Sequence, residues 1–326
     1  MTSNILEVSH LKKYFIKKGL LDSRSTTVKA VDDISFSLKK GEVFVLAGES
    51  GSGKSTIAKI ILQSINQDSG EVFFEGLEIG KNKENLKEIR MNCQMIHQDP
   101  YDSINPRMRI GEIISEPLEI HNIGNKKERE DRITQVLQEV KLEPSEEIIK
   151  KYPHMLSGGQ RQRVVLARSL AIKPKIIIAD EPVSMLDVSI RAEMLELMHE
   201  LQQKYNISFI YITHDLATAR HFGQKIGILY KGKIVEMGTI DKVLLTPKHP
   251  YTQALIDAIS EPDPENLHRE RKIRINEPRN LEETKGCKFR DRCPYMIDEC
   301  INEPKLEKVE EEHYSACHVE IDHEEV

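Results

Sequence analysis

No apolar run in this 326-residue sequence approaches the roughly 20 residues that a helix needs to span a bilayer. The N-terminal segment also lacks the basic stretch followed by an apolar stretch that marks a secretory signal. We therefore expect a protein that stays in the cytoplasm and does not itself cross a membrane.

An excess of basic residues is missing as well. The chain carries 47 Lys and Arg against 53 Asp and Glu, a net charge of −6, whereas bulk nucleic-acid binding usually leaves a strongly basic footprint. We therefore expect no nucleic-acid partner. Repeats and low-complexity segments are also absent, and 39% hydrophobic with 31% charged residues is typical of a globular chain.

The hydrophobic pattern changes along the chain. Short apolar runs at residues 31–38, 43–47 and 71–74 predict a β-rich N-terminal part. Helical spacing prevails over residues 109–150, and from residue 176 onward strand and helix patterns alternate. Such alternation predicts an α/β fold with a parallel sheet covered by helices on both faces. We expect the β-rich start of the chain to form a separate N-terminal antiparallel β part.

A glycine-rich segment, GESGSGKST at residues 48–56, lies between a predicted strand and a predicted helix. It matches in full the G-x-x-x-x-G-K-[ST] loop, whose backbone amides and following helix start bind phosphate. Lys54 would reach the β- and γ-phosphates of ATP, and the Ser55 hydroxyl would bind Mg²⁺. The predicted nucleotide-binding residues of this loop are Gly48, Ser50, Gly51, Ser52, Gly53, Lys54, Ser55 and Thr56.

Two carboxylates, Asp180 and Glu181, follow the apolar run at residues 176–179. A buried strand delivers such residues to the carboxyl edge of a parallel sheet, where ligands of these folds bind. Asp180 would hold Mg²⁺, directly or through water, and Glu181 would polarise the attacking water as general base. A solvated turn is the common alternative, but the phosphate loop in the same chain favours the catalytic interpretation.

The segment LSGGQ at residues 156–160 is identical to the signature motif of ATP-binding-cassette (ABC) ATPases, and the chain resembles that family. The resemblance implies a phosphate-loop ATPase core with a helical subdomain. It also implies that a facing chain presents Ser157 and Gly159 to the γ-phosphate, with Gln160 as a further nucleotide-binding residue. From the residues alone, Ser157 could also be a plain helix N-cap.

Five further positions resemble family motifs. Gln98 looks like the Q-loop glutamine, which senses Mg²⁺ and the attacking water and touches the membrane subunits. His214 looks like the switch histidine at the γ-phosphate, and Asp187 lies in a segment similar to the D-loop. Tyr14 and Phe15 sit where the family stacks a ring on adenine; the offset favours Phe15, although either ring could belong to the core.

The resemblance extends beyond the cassette to importers of oligopeptides and dipeptides. The segments at residues 98–107, 152–157 and 249–252 match that subfamily, and an insertion at residues 17–27 resembles its F-type more than its D-type subunit. The resemblance implies two domains. Residues 1–259 would form the nucleotide-binding domain, with a helical subdomain at about 100–165, and residues 260–326 a C-terminal extension that starts with a charged, proline-containing linker.

Four of the five cysteines, Cys287, Cys293, Cys300 and Cys317, lie in the extension. Stable disulfides are not expected in the cytoplasm, so this cluster favours a metal, although its spacings are looser than those of ordinary zinc sites. The resemblance implies a [4Fe–4S] cluster in some members, with zinc or four reduced thiols as alternatives. We expect this cysteine site to lie outside every nucleotide motif and to be structural, and we interpret Cys93 as a buried apolar residue.

Together the motifs predict an enzyme that hydrolyses MgATP and energises an importer from the cytoplasmic side of the membrane, as a peripheral subunit. The implied partners are a second ATPase subunit (identical or D-type), two membrane permease subunits docked near Gln98, and an extracellular solute-binding protein. The solute could be a peptide, nickel, glutathione or an oligosaccharide.

Three other classes of protein fit the sequence less well. A soluble ABC ATPase that acts on DNA or ribosomes would carry coiled coils, tandem cassettes or basic arms, and none is evident. The tail argues against an exporter. The intact Glu181 and signature argue against a subunit that binds ATP without cleaving it.

Overall fold

The computed structural model describes residues 4–18, 25–80, 84–258 and 285–321, which build an α/β fold with two sheets. Part of the insertion at residues 17–27 and nearly all of the linker at residues 260–285 lie outside the described residues. The strands are β1 (Asn4–Lys18), β2 (Ser25–Lys39), β3 (Val43–Ala47), β4 (Ser69–Phe74), β5 (Leu77–Glu78), β6 (Cys93–Ile96), β7 (Ile176–Asp180), β8 (Ser208–Thr213), β9 (Lys225–Tyr230), β10 (Lys233–Thr239), β11 (Glu307–Glu310) and β12 (His313–Ser315).

The smaller sheet is the expected antiparallel N-terminal part, with strand order β2-β1-β4-β5. The larger sheet has the order β11-β12-β10-β9-β3-β8-β7-β6. Its strands from β9 to β6 run parallel, whereas β10, β12 and β11 are added in antiparallel fashion. β9 and β10 form an antiparallel hairpin.

Helices follow the strands as the alternating pattern predicts. They are α1 (Lys54–Ile61), α2 (Glu84–Asn92), α3 (Pro100–Ser103), α4 (Ile110–Ile120), α5 (Lys126–Glu139), α6 (Ser145–Ile148), α7 (Gly158–Ala171), α8 (Val188–Tyr205), α9 (Leu216–Phe222), α10 (Ile240–Leu245) and α11 (Pro250–Asp257). Helices α3, α4 and α5 pack against α7 and form the helical subdomain. Within the described ranges, no helix combines the length and the apolar character needed to cross a bilayer.

Both faces of the larger sheet are buried, which explains the nearly continuous apolar runs of its central strands. Successive side chains of a strand point to opposite faces. Val43 and Val45 of β3 therefore join a core shared with the helices, whereas Phe44 and Leu46 join a core shared with the smaller sheet. The sheet is thus held between two apolar layers, which fix the positions of the strand ends from which the candidate site is built.

Two elements differ from the sequence-based expectation. β6 is absent from that expectation, because a four-residue strand shows too little periodicity to be recognised. Cys93 begins this strand and is buried, which raises the pKa of its thiol to about 12 and confirms the interpretation of Cys93 as an apolar core residue. The second difference is β12, which pairs with β10 and so joins the extension to the sheet of the cassette.

A buried carboxylate anchors the extension at this junction. Glu236 of β10 has no exposed surface and accepts hydrogen bonds from the backbone N–H groups of Lys248 (2.7 Å) and His249 (2.9 Å). His313 Nε2 of β12 lies 2.7 Å from the same carboxylate. Because a buried polar group left unpaired costs about 1–3 kcal/mol, these contacts hold β12 firmly against the cassette.

Candidate nucleotide-hydrolysing site

The predicted catalytic segments begin where three neighbouring parallel strands end. Ala47 of β3 pairs with Thr213 of β8, and Asp180 of β7 pairs with Ile212 of β8. The carboxyl ends of the three strands therefore lie side by side. The phosphate loop, the acidic pair and the switch histidine follow these ends directly, at the edge where α/β folds bind their ligands.

The phosphate loop curls as the motif predicts. Gly48 and Gly53 have φ angles of 148° and 109°, and a Cβ at these positions would lie 2.2 Å from Leu229 O and 2.0 Å from Ala30 O. Only glycine fits both positions, because a side chain would collide with backbone. The other predicted residues of the segment lie in the loop or the first turn of α1: Ser50, Gly51, Ser52, Ser55 and Thr56.

Lys54 opens α1 with its ammonium group folded back into the loop. Its Nζ donates to Gly48 O (2.7 Å), to Glu49 O (2.9 Å) and to the Ser52 hydroxyl (3.3 Å). Burial lowers the pKa of Lys54, against the opposing effect of the carboxylates of Glu181, Asp180 and Glu49. A buried cation surrounded by oxygens is thus ready to exchange these acceptors for phosphate oxygens.

Gln98, Glu181 and His214 meet through their side chains. Gln98 Nε2 donates to Glu181 Oε2 at 2.9 Å, and His214 Nδ1 lies 2.9 Å from Glu181 Oε1. Glu181 adopts a left-handed backbone with φ 47°, which is costly for a residue with a side chain and concentrates at functional sites. The three residues that the sequence placed in hydrolysis therefore form one hydrogen-bonded group.

Asp180 and Ser55 provide oxygen atoms suited to Mg²⁺. The Ser55 hydroxyl is hydrogen-bonded to the Asp180 carboxylate, and burial together with the neighbouring Glu181 raises the pKa of Asp180 despite that bond. Mg²⁺ prefers such oxygen ligands and would compensate the paired negative charges. The residues therefore fit the ion; the predicted part of Gln98 in binding it stays a prediction.

The signature segment begins α7. Ser157 is the N-cap, its hydroxyl accepting from Gln160 N (3.3 Å) while Gln160 Oε1 accepts from Ser157 N (3.1 Å). The N-cap role is therefore present, and it leaves the helix start suited to an anion. Gly159 lies so close to α8 that a Cβ would approach the Ile190 side chain to 2.6 Å. Asp187 is the N-cap residue of α8.

The two candidate adenine-stacking rings differ in their surroundings. The Tyr14 hydroxyl donates to Asp32 at 2.6 Å, and burial together with that carboxylate raises the pKa of Tyr14. Phe15 is 41% exposed, with Lys13 Nζ 5.6 Å from its ring centroid. The geometry favours Phe15 for stacking, which stays a prediction.

The phosphate loop also contacts residues that the sequence did not assign to it. Glu49 N donates to the Tyr251 hydroxyl (3.0 Å), and Arg292 of the extension binds the Glu49 carboxylate. The extension therefore reaches the phosphate loop through Arg292, although none of its four cysteines belongs to a nucleotide motif. No local pattern could have indicated these contacts, because Glu49 and Arg292 are 243 residues apart.

The four cysteines of the extension lie near one another. Burial, with their mutual charges as a smaller effect, raises the pKa of Cys287 to about 11 and of Cys293 to about 12, and burial raises that of Cys317. Across the described ranges, however, no group of three or more His, Cys, Asp or Glu side chains is placed to hold a metal ion. As placed, the thiols do not fit an iron–sulfur cluster or zinc.

Fold and site define a phosphate-loop enzyme that hydrolyses nucleoside triphosphates. Residues 31–184 match the family model described as ABC transporter, and residues 235–300 match the one described as the C-terminal region of oligopeptide/dipeptide transporters. The chain belongs to the ATP-binding proteins of ABC transporters, in the group that carries the oligopeptide/dipeptide C-terminal region.

Relatives and solved structures agree with this assignment. The chain is 41% identical to the oligopeptide transport ATP-binding protein AppF of Bacillus subtilis, over 97% of either protein. It is 45% identical to OppF of the same organism, over 81% of this chain and 85% of OppF. A dimeric ATP-binding cassette, MJ0796 bound to ADP and Pi, is 28% identical with a TM-score of 0.63, over 72% of this chain and 98% of that one.

The geometry predicts the effect of replacing the general base. Glu181→Gln should keep MgATP affinity but lower turnover about 100-fold or more, because the amide cannot accept a proton from water. Calorimetric titration with MgATP and a phosphate-release assay measure the two effects. Lys54→Ala is the control and should lose binding itself. Hydrolysis by Glu181→Gln at the native rate would refute the assignment.

Proposed function

We propose that this protein drives the import of peptides by hydrolysing MgATP. The observation that carries the proposal is the combination of a complete hydrolytic group, Gln98, Glu181 and His214, with the oligopeptide/dipeptide C-terminal region. Relatives that match nearly the whole chain are described as oligopeptide transport or peptide import proteins. Nickel, glutathione and oligosaccharides are the alternative solutes.

Two chains would share each nucleotide. The phosphate loop of one chain would hold MgATP, and the facing chain would present Ser157 and Gly159 to its γ-phosphate. Met185 and Val188, on either side of Asp187, are 64% and 81% exposed, and exposed apolar side chains of this kind suit an interface. The dimeric MJ0796 cassette is consistent with such pairing. The second chain would be a copy or a D-type partner.

Membrane partners would dock beside the Q-loop. Tyr101 is 61% exposed three residues beyond Gln98, and the guanidinium of Arg161 lies 3.9 Å above its ring. This contact joins the exposed surface around Tyr101, where the membrane subunits would dock, to α7, the helix that begins with the signature. Two permease subunits would bind there, supplied by an extracellular solute-binding protein, with the ATPase at the cytoplasmic face of the membrane as a peripheral subunit.

We also propose that the four cysteines of the extension bind a [4Fe–4S] cluster, with zinc or four reduced thiols as the alternatives. Backbone N–H groups donate to the sulfurs of Cys287, Cys293 and Cys317, as is common around thiolate-bound metals. Because no metal-holding group is formed by the described residues, a [4Fe–4S] cluster or zinc would require the thiols to be rearranged. Four reduced thiols are the arrangement that needs no movement.

Uptake by a reconstituted complex tests the proposed function. Vesicles that contain this chain with its permease subunits and binding protein should accumulate a labelled tripeptide only when MgATP is supplied on the ATPase side. The matched complex with Glu181→Gln should not. Accumulation of nickel, glutathione or an oligosaccharide instead of the peptide would overturn the choice of solute.

The shared site predicts that defective chains can complement one another. Lys54→Ala and Ser157→Arg should each be inactive, whereas their mixture should recover part of the native activity, because one composite site in a mixed dimer keeps both native surfaces. Specific activity should also rise with protein concentration. A mixture as inactive as its components would contradict sharing between copies, and the same test with a D-type partner would then decide the heterodimer.

Metal analysis tests the cysteine proposal. Anaerobically purified native protein should contain iron and sulfide and absorb broadly near ~400 nm, as thiolate-bound clusters do, and Cys293→Ser should lose all three signals. Zinc without colour would establish the alternative metal. If the native protein contains neither iron nor zinc, the four cysteines are reduced thiols and the cluster proposal is refuted.

A further inference from the structure

The C-terminal extension reaches into the nucleotide site through one side chain. Arg292 ends the short 3₁₀ helix Arg290–Arg292. Its two terminal nitrogens lie 3.2 Å from the two carboxylate oxygens of Glu49, the second residue of the phosphate loop. Such two-point pairing of guanidinium and carboxylate is the strongest and most directional form of ion pair.

Packing fixes the place from which Arg292 acts. Phe289, three residues earlier, is fully buried against the rings of Tyr230, Tyr251 and His249. The guanidinium of Arg292 itself lies 5.8 Å from the ring centroids of Tyr230 and Phe289, and it donates to the Tyr230 hydroxyl at 3.3 Å. The arginine is thus held by an aromatic cluster and does not extend as a mobile surface side chain.

Glu49 is held at three separate points. Its backbone N–H donates to the Tyr251 hydroxyl, its carbonyl accepts from Lys54 Nζ, and its carboxylate is bound by Arg292. Two of these three partners belong to the region that follows the cassette sheet, at residues 251 and 292. The start of the phosphate loop therefore takes its position from the C-terminal part of the chain.

Charge gives this contact a consequence for ATP. The Glu49 carboxylate is close enough to act electrostatically on Lys54, raising its pKa against the larger lowering effect of burial. A negative charge at that distance also repels the phosphates that Lys54 must bind. Arg292 compensates that negative charge and holds the Glu49 carboxylate on the side of the loop that faces the extension.

We propose that Arg292 is a positioning residue for MgATP, through which the extension sets the affinity of the phosphate loop. This proposal rests on the proposed ATP-hydrolysing function. Loosening of the extension would release Glu49, return its charge to the phosphate site and weaken nucleotide binding. The extension would thus regulate the cassette to which it is attached.

Replacement of Arg292 tests the proposal in the full-length chain. Arg292→Ala should weaken MgATP binding about three- to tenfold, a modest change because Glu49 is 45% exposed and solvent screens the pair. The matched control is Arg290→Ala, since Arg290 bonds within the extension, to Asp291 and Lys285 O, and should leave the affinity unchanged. Arg292→Lys should restore part of the affinity, because it keeps the charge without the two-point geometry.

Glu49→Gln separates this electrostatic role from a merely structural one. In that background Arg292→Ala should change MgATP affinity by less than about twofold, since the charge to be compensated is gone. The difference in the native background should also shrink at high salt, and thermal midpoints show whether each variant is folded. Equal effects of Arg292→Ala in the native and the Glu49→Gln backgrounds, or effects equal to those of Arg290→Ala, would overturn the proposal.

Two controls keep this test distinct from the proposed function. Native protein that fails to bind MgATP, or that binds it only as well as Lys54→Ala does, would refute the nucleotide site itself. If the native protein binds MgATP and Arg292→Ala binds it with the same affinity, only the role of Arg292 is refuted.

Discussion

The parallel register of β3, β7 and β8 is the constraint on which the site depends. Residues at the ends of these strands are aligned, Ala47 with Thr213 and Asp180 with Ile212, so that the loops after them start at one edge. The register cannot slip at small cost, because alternate side chains are committed to two different buried layers. Apolar packing in the two buried layers therefore determines how far apart the catalytic residues lie at the ends of the strands.

Burial at this edge disfavours the charged forms of two side chains, and a bound magnesium nucleotide can stabilise both of them. Burial lowers the pKa of the Lys54 ammonium and raises that of the Asp180 carboxylate, so each charged form is disfavoured where it lies. MgATP brings phosphate oxygens to the lysine and a divalent cation to the carboxylate. Groups whose pKa values are shifted in opposite directions in one cleft are typical of functional sites, and the left-handed backbone at Glu181 agrees with that interpretation.

The extension is built into the cassette and not merely attached after it. β12 continues the sheet of the cassette through β10, and the buried Glu236 accepts hydrogen bonds from both sides of the junction. An aromatic cluster around Phe289 then carries the extension to the phosphate loop. In this chain, the region that matches the oligopeptide/dipeptide C-terminal family thereby contacts the phosphate loop directly.

The phosphate loop, the acidic pair and the signature could be predicted from the sequence, because each is a short segment whose residue types and spacing specify its chemistry. The sequence also predicted that Lys54, Asp180, Glu181 and His214 serve one site, since buried parallel strands must end at a common edge. The packing of distant segments was needed to show that Arg292 and Tyr251 hold Glu49 and that β12 joins the sheet. These are contacts between segments as much as 243 residues apart, and they depend on how buried surfaces pack against one another, which no local pattern of residues records.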